Sequence, residues 1–285
     1  MNEWKSIHIF YHDINKKELV LCNIIEPLIN KLIKESKLSR WFFINYWEGG
    51  PHIRLRMENI ENSAFIEITD RIKAFIDSNP SSLIVTREQY YRNSKFDGEA
   101  VNIDELPWYE DGTVKEVTYI PEIDRYGGEL AIGLAESLFM KSSNISSFII
   151  KKTINNFNLR FSVAIDLFIH ALHKVGCLNT QYLKLYSAWW GNYLGNKKPV
   201  INENIKGIIE KKLKQASEHV QNYEIVGEWG DSILKYFGDL KGLNIHDGLA
   251  CNILSSQLHM MNNRLAVTPE YEYIISEGIL LNLSL

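Results

Sequence analysis

The 285 residues include only three cysteines, Cys22, Cys177 and Cys251, too dispersed for a disulfide framework or a cysteine zinc site. No apolar run approaches the roughly 20 residues that a membrane-spanning helix needs. The opening Met1-Asn2-Glu3-Trp4-Lys5 lacks the charged-then-apolar order of a secretion signal. A basic excess is missing too: 31 Lys and Arg face 35 Asp and Glu, for a net charge of −4. That argues against nucleic-acid binding, which needs a concentrated positive field. Neither a P-loop nor a Gly-x-Gly-x-x-Gly turn between strand and helix is found. His170 and His173 stand three apart with no third ligand nearby, so no metal is expected. Ser255 and Ser256 have no glycine-flanked elbow around them, which makes a serine hydrolase a poor fit. These absences leave a soluble, cytoplasmic protein as the expectation, with no membrane and no direct nucleic-acid partner.

What the chain does contain is core: 45% hydrophobic and 12% aromatic residues, with 23% charged. Residues 6–12 form a β-rich run suited to a strand. Residues 17–35 place Leu and Ile at helical spacing, with Pro27 expected to kink the helix. Residues 41–47 and 52–57 read as strands flanking Glu-Gly-Gly-Pro, a hairpin signal. Residues 64–76 are helical and 82–86 read as a further strand. The order β-α-β-β-α-β predicts an α+β protein with a ferredoxin-like N-terminal half. Residues 87–124 read as a polar, Tyr-rich loop with turns at Asp97-Gly98, Pro107 and Asp111-Gly112, and one strand at 114–120. After Gly127-Gly128, helices are predicted near 129–140, 143–157, 159–175, 180–193, 203–222, 230–237 and 248–265. Asn262-Asn263 is expected to fray the last, and the tail 268–285 to pack back. The expected division is a mixed α/β part over 1–124 and a mostly helical part over 125–285, sharing one core.

Strict alternation in His52-Ile53-Arg54-Leu55-Arg56-Met57 turns Ile53, Leu55 and Met57 to a core and His52, Arg54 and Arg56 to the other face. The two arginines then stand roughly 7 Å apart. They either pair with surface carboxylates or dock an anionic group by bidentate contact. Only nine of the 31 cations are arginine, which gives each some weight as a place where a planar fork is wanted. In Asp124-Arg125-Tyr126-Gly127-Gly128, paired glycines ahead of a helix suit close backbone approach and N–H groups open to an anion. His259, near the end of an amphipathic helix, is either a packed histidine or a proton carrier near neutral pH. Trp189-Trp190 and Tyr90-Tyr91 read as core and rim packing.

Taken together, residues 41–47, the following Gly-Gly-Pro-His-Ile-Arg-Leu-Arg, Arg125-Tyr126-Gly127-Gly128, and His259 with Asn263-Arg264-Leu265 resemble a known family. It is the C-terminal elimination domain of class I lanthipeptide dehydratases, in the free-standing form of thiopeptide-type clusters. Order and approximate spacing agree along almost the whole chain. The resemblance implies a lyase that removes glutamate from O-glutamylated Ser or Thr of a precursor peptide, leaving dehydroalanine or dehydrobutyrine without a cofactor. It implies a separate tRNA-dependent glutamylating enzyme as partner; a homodimer is a further arrangement. By motif the catalytic residues are Arg56, Arg125 and His259, with Arg54, His52, Tyr126, Asn263 and Arg264 at the substrate. His259 as base or as acid stays open. The segment between Arg56 and Arg125 is longer than in fused domains, and its Trp108–Gly112 stretch is expected near peptide entry. Relatives of the same shape carry out a [4+2] cycloaddition on dehydrated peptide instead, and a non-catalytic precursor-binding subunit is a third reading.

Overall fold

The computed structural model describes residues 3–82, 85–93, 102–218, 223–243 and 245–284. The protein is α+β and mostly helical, with one four-stranded antiparallel sheet near the N-terminus. Two compact units are distinguished: Met1–Pro121 with Ser147–Asn155, and Glu122–Ser146 with Asn156–Leu285.

The first unit is built on strands β1 (Trp4–Phe10), β2 (Arg40–Tyr46), β3 (His52–Glu58) and β4 (Val114–Glu116), in the order β2-β3-β1-β4. Register follows from side-chain alternation. Ile53 and Leu55 lie opposite Ile9 and Ile7, and Leu55 and Met57 opposite Phe43 and Trp41. All seven are at most 1% exposed, and each such side chain taken from water contributes roughly 1.5–3 kcal/mol. The β2–β3 turn requires glycine. Gly49 sits at φ +89°, and a Cβ there would meet the Tyr109 ring at 2.8 Å.

Three expectations change here. The helix over 17–35 is α1 (Ile14–Val20), a π-turn (Leu21–Ile25) and α2 (Glu26–Lys34). The backbone stays right-handed helical through Ile25 and Glu26, so the helix runs on, and the irregularity at Pro27 takes the form of the π-turn just before it, which holds the i−4 carbonyl that a proline ring displaces. After α3 (Asn62–Ser78), the strand expected at 82–86 is not the fourth strand of the sheet. Its centre, residues 83–84, lies outside the described residues, and Ser82, Val85 and Thr86 are not in a strand. A β-branched run reports propensity rather than a pairing partner. The edge of β1 is taken instead by β4, delivered when Gly112 N–H donates to Phe10 O (2.7 Å) and Phe10 N–H to Thr113 O (2.8 Å). Third, the supposed loop from residue 87 opens with helix α4 (Arg87–Asn93). The turn at Asp97-Gly98 lies outside the described residues.

In the second unit, the two helices expected at 129–140 and 143–157 are one, α5 (Ile132–Lys152), whose last residues group with the first unit. Ser142 and Ser143 do not break it, because both are fully buried and Ser142 Oγ bonds back to Phe139 O. Then come α6 (Phe157–Lys174), α7 (Thr180–Leu194), α8 (Glu203–Ser217), α9 (Glu224–Lys241), α10 (Asp247–Arg264) and α11 (Pro269–Leu283). Residues 219–222, the expected end of α8, lie outside the described residues. Asparagines start three of these helices: Asn156, Asn179 and Asn202 accept from the N–H three residues on, at 3.1, 3.0 and 2.9 Å. The tail expected simply to pack back is a full helix, with Pro269 in its first turn after Thr268. Asn262 does not fray; it is 2% exposed inside α10.

Candidate active site

Both arginines of β3 lie on the sheet face opposite the apolar core, as the alternation requires. Arg54 stacks its guanidinium 3.3 Å from the ring centre of Tyr46, and Arg56 lies 5.2 Å from Phe42 and 4.5 Å from Tyr119. A guanidinium held against aromatic rings keeps its charge and its planar fork in one orientation. Arg54 also reaches the Glu48 carboxylate at 4.0 Å, at the edge of ion-pair range.

His52 is wholly buried. Its Nδ1 donates to Gly50 O at 2.8 Å, and its Nε2 accepts from Arg54 Nε at 3.2 Å. With both nitrogens used, it braces Arg54 from behind. Burial drives its pKa from 6.5 down to about 2, against the opposing hydrogen bond to Gly50. His8, opposite Arg54 across β1 and β3, falls to about 3 through burial, then Arg54, Arg56 and Lys115. The unfolded chain protonates His52 first as pH falls below 6.5. Its contribution to stability, complete above that value, is therefore lost on acidification, about 2 kcal/mol between pH 7 and 5. Urea unfolding midpoints at the two pH values should show the loss, and His52→Gln should shrink it; an unchanged loss rules His52 out as its source.

The stretch expected at peptide entry is stitched to the end of the sheet. Tyr109 N–H donates to Gly49 O at 2.9 Å, and Trp108 packs on His12, Tyr90 and Tyr91. Tyr91 belongs to the same network, its OH accepting from Gly49 N–H and donating to Pro107 O.

In the second unit Arg125 lies in a short 3-10 turn (Asp124–Tyr126). Its Nε donates to Ser256 Oγ at 3.1 Å and its Nη1 to Glu122 at 2.9 Å. The glycines after it do not leave N–H groups for an anion: Gly127 N–H bonds Asp124 O and Gly128 N–H bonds Ile123 O. Both adopt a positive φ, which favours glycine, and at Gly127 space is short as well. Gly127 has φ +97°, and a Cβ there would meet Ile245 Cδ1 at 2.6 Å.

His259 follows Ser256 by three residues on α10, so its side chain rises one turn along the same face. Arg125 and His259 thus converge on one helix. The imidazole packs 4.9 Å from the Trp190 ring, and its Nδ1 lies 2.7 Å from Oε1 of Glu272, a side chain with no exposure. No partner of Nε2 is found among the described residues. Ser255, next to these groups, is committed to Tyr182 OH (2.9 Å) and Cys251 O (3.0 Å).

The remaining expected substrate groups are less accessible. Tyr126 is 3% exposed against Phe139, and Arg264 is 1% exposed, bonded to Ser143 Oγ and Met260 O. Asn263 is half-buried. Among the described residues no cluster of His, Cys, Asp and Glu suits a metal ion, and no helix is long and apolar enough to cross a membrane. Sequence reading missed Glu272, Trp190 and Tyr119. Only Trp190 had a local signal, its spacing of four from Tyr186 on one helix, and that was equally a packing signal.

A profile of the C-terminal part of lantibiotic biosynthesis dehydratases matches residues 4–280. No curated protein matches the sequence. Among solved structures, TsrL superposes with a TM-score of 0.69 at 16% identity, covering 100% of this chain and 96% of its own. TbtD, the pyridine synthase of thiomuracin biosynthesis, gives 0.68 at 15%, with 98% and 97% covered. MibB, a tRNA-dependent lantibiotic dehydratase from Microbispora sp. 107891, gives 0.58 at 15%, with 97% of this chain matched to 28% of that one. At such identities the likeness establishes a shared fold.

Proposed function

The chain belongs to the lantibiotic biosynthesis dehydratase C-terminal family, and from that premise we propose that it eliminates glutamate from O-glutamylated Ser or Thr of a ribosomally made precursor peptide. The products are dehydroalanine or dehydrobutyrine and free glutamate. The partners are that peptide and a separate tRNA-dependent glutamylating enzyme. In this reading the small sheet is the ferredoxin-like framework for Arg54 and Arg56.

The observation that carries the proposal is that α10 of the second unit presents a carboxylate-bound imidazole, His259, and, one turn earlier, Ser256, which accepts a hydrogen bond from the Arg125 guanidinium. Elimination must remove a weakly acidic α-proton and stabilise a departing carboxylate. An imidazole supplies the first and guanidiniums the second. Arg125 and Arg56 are assigned to the glutamyl group and the developing negative charge, with Arg54 in support. To raise the rate, and not merely the affinity, these contacts must strengthen as the C–O bond breaks.

Incubation with a glutamylated peptide, followed by mass spectrometry, should show loss of glutamic acid and one alkene per modified residue. An ester left intact refutes the lyase. Full-length likeness to TbtD favours a second reading, cycloaddition on an already dehydrated peptide. That enzyme would leave the ester untouched and convert two alkenes to a ring, so the same assay with dehydrated peptide separates the two.

A further inference from the structure

Three helices of the second unit meet at one carboxylate. From α7, Tyr186 OH donates to Glu272 Oε2 at 2.6 Å; from α10, Asn262 Nδ2 donates to the same oxygen at 3.2 Å. His259 Nδ1 lies 2.7 Å from the other oxygen, and Glu272 itself belongs to α11. A carboxylate only accepts, so the three neighbours must all be donors, His259 included. Tyr186 stays a donor because burial, and then the charge of Glu272, push its phenol well above its ordinary range. Replacing a buried polar cluster by apolar side chains of similar volume is often neutral or stabilising, so stability alone does not account for Glu272 here.

The geometry points to Glu272 as the positioning residue for His259: it fixes the Nδ1–H tautomer, so that Nε2 carries the lone pair and takes the α-proton of the substrate. The base assignment rests on the elimination reading above; the tautomer does not. In the step, Nε2 gains the proton and the C–H electron pair becomes the second bond of the alkene. The ester C–O bond breaks, its pair leaving on the glutamate carboxylate. The imidazolium so formed faces Glu272 through Nδ1–H, and it returns its proton to water.

Side-chain 15N NMR of the full chain distinguishes the two neutral tautomers from the imidazolium, and His259 is assigned by the signal lost in His259→Ala. The wild type should show Nδ1–H at the pH of activity. Glu272→Gln, which can offer its amide N–H to Nδ1, should switch His259 to Nε2–H. It should also lower kcat for glutamate release by about 10²–10⁴-fold, the scale of a wrong-tautomer defect, with KM little changed. Glu272→Asp should recover part of that rate. Tyr186→Phe, which keeps the ring and two of the donors, should retain the tautomer and lose only a few-fold. Nε2–H or imidazolium in the wild type overturns the proposal, whatever the variants do. So does a Glu272→Gln enzyme with wild-type tautomer and rate. If the wild type releases no glutamate, the lyase reading falls and takes the base role with it, while the tautomer still decides whether Glu272 positions His259.

Discussion

His259→Ala should slow single-turnover glutamate release by about 10²–10⁴-fold, the usual contribution of a positioned acid–base group. The loss should fall on kcat, because the imidazole acts on the proton and not on the glutamyl group. A second effect accompanies it. The variant leaves Glu272 buried with two of its three donors, which costs roughly 1–3 kcal/mol of stability. Thermal unfolding must therefore be followed beside activity, and the rates compared below the onset of melting. A folded variant within a factor of three of the wild-type rate rules out His259 as the proton carrier.

Arg56→Ala should reduce release by about 10²–10³-fold, the scale on which one aimed donor stabilises a developing oxyanion. Arg56→Lys should restore little of it. The planar guanidinium lies 4.5 Å from the Tyr119 ring and 5.2 Å from Phe42, and an ammonium can reproduce neither the stack nor the two-pronged contact. Tyr119→Leu tests the same point from the other side, since it keeps the charge and removes a ring. Its rate should fall between wild type and Arg56→Ala. Full activity in Arg56→Lys contradicts the fork, and full activity in Arg56→Ala removes the residue from the site.

The parts of the fold written in period and punctuation were legible. Alternation in residues 52–57 gave β3 and its two faces, and Glu-Gly-Gly-Pro gave the hairpin; Asn156, Asn179 and Asn202 stand at helix starts close to the predicted ones. Pairing was not legible. Residues 82–86 have the composition of a strand, yet the sheet edge is completed by the short and more polar Val114–Glu116, because a turn brings it there. The last helix escaped for a related reason. Residues 274–281 are apolar on most sides, so α11 lacks the one-sided stripe that betrays a surface helix. Losing α11 meant losing Glu272, thirteen positions from His259 in sequence and joined to it only by a helix reversal. The catalytic assignment of Arg125 and His259 follows from the family motif, and no spacing rule links them; Ser256, which accepts from Arg125 and stands one helical turn before His259, suggests from sequence only a nucleophile. The glycine pair beside Arg125 suggests open amides from sequence, but those amides are consumed within the turn.

The histidines beside Arg54 have a consequence for measurement. His52 and His8 take up protons only at about 2 and about 3, so neither changes its ionisation anywhere between mild acid and alkali. In the elimination reading, Arg54 and Arg56 therefore present a fixed charge to the glutamyl carboxylate, governed by added electrolyte and indifferent to acidity over that range. Raising ionic strength from 0.05 to 0.5 M shortens the screening length to well under about 10 Å and should weaken whatever those two side chains hold. A dependence on electrolyte without a matching dependence on acidity would therefore point to the sheet's arginines as the groups that hold the anion.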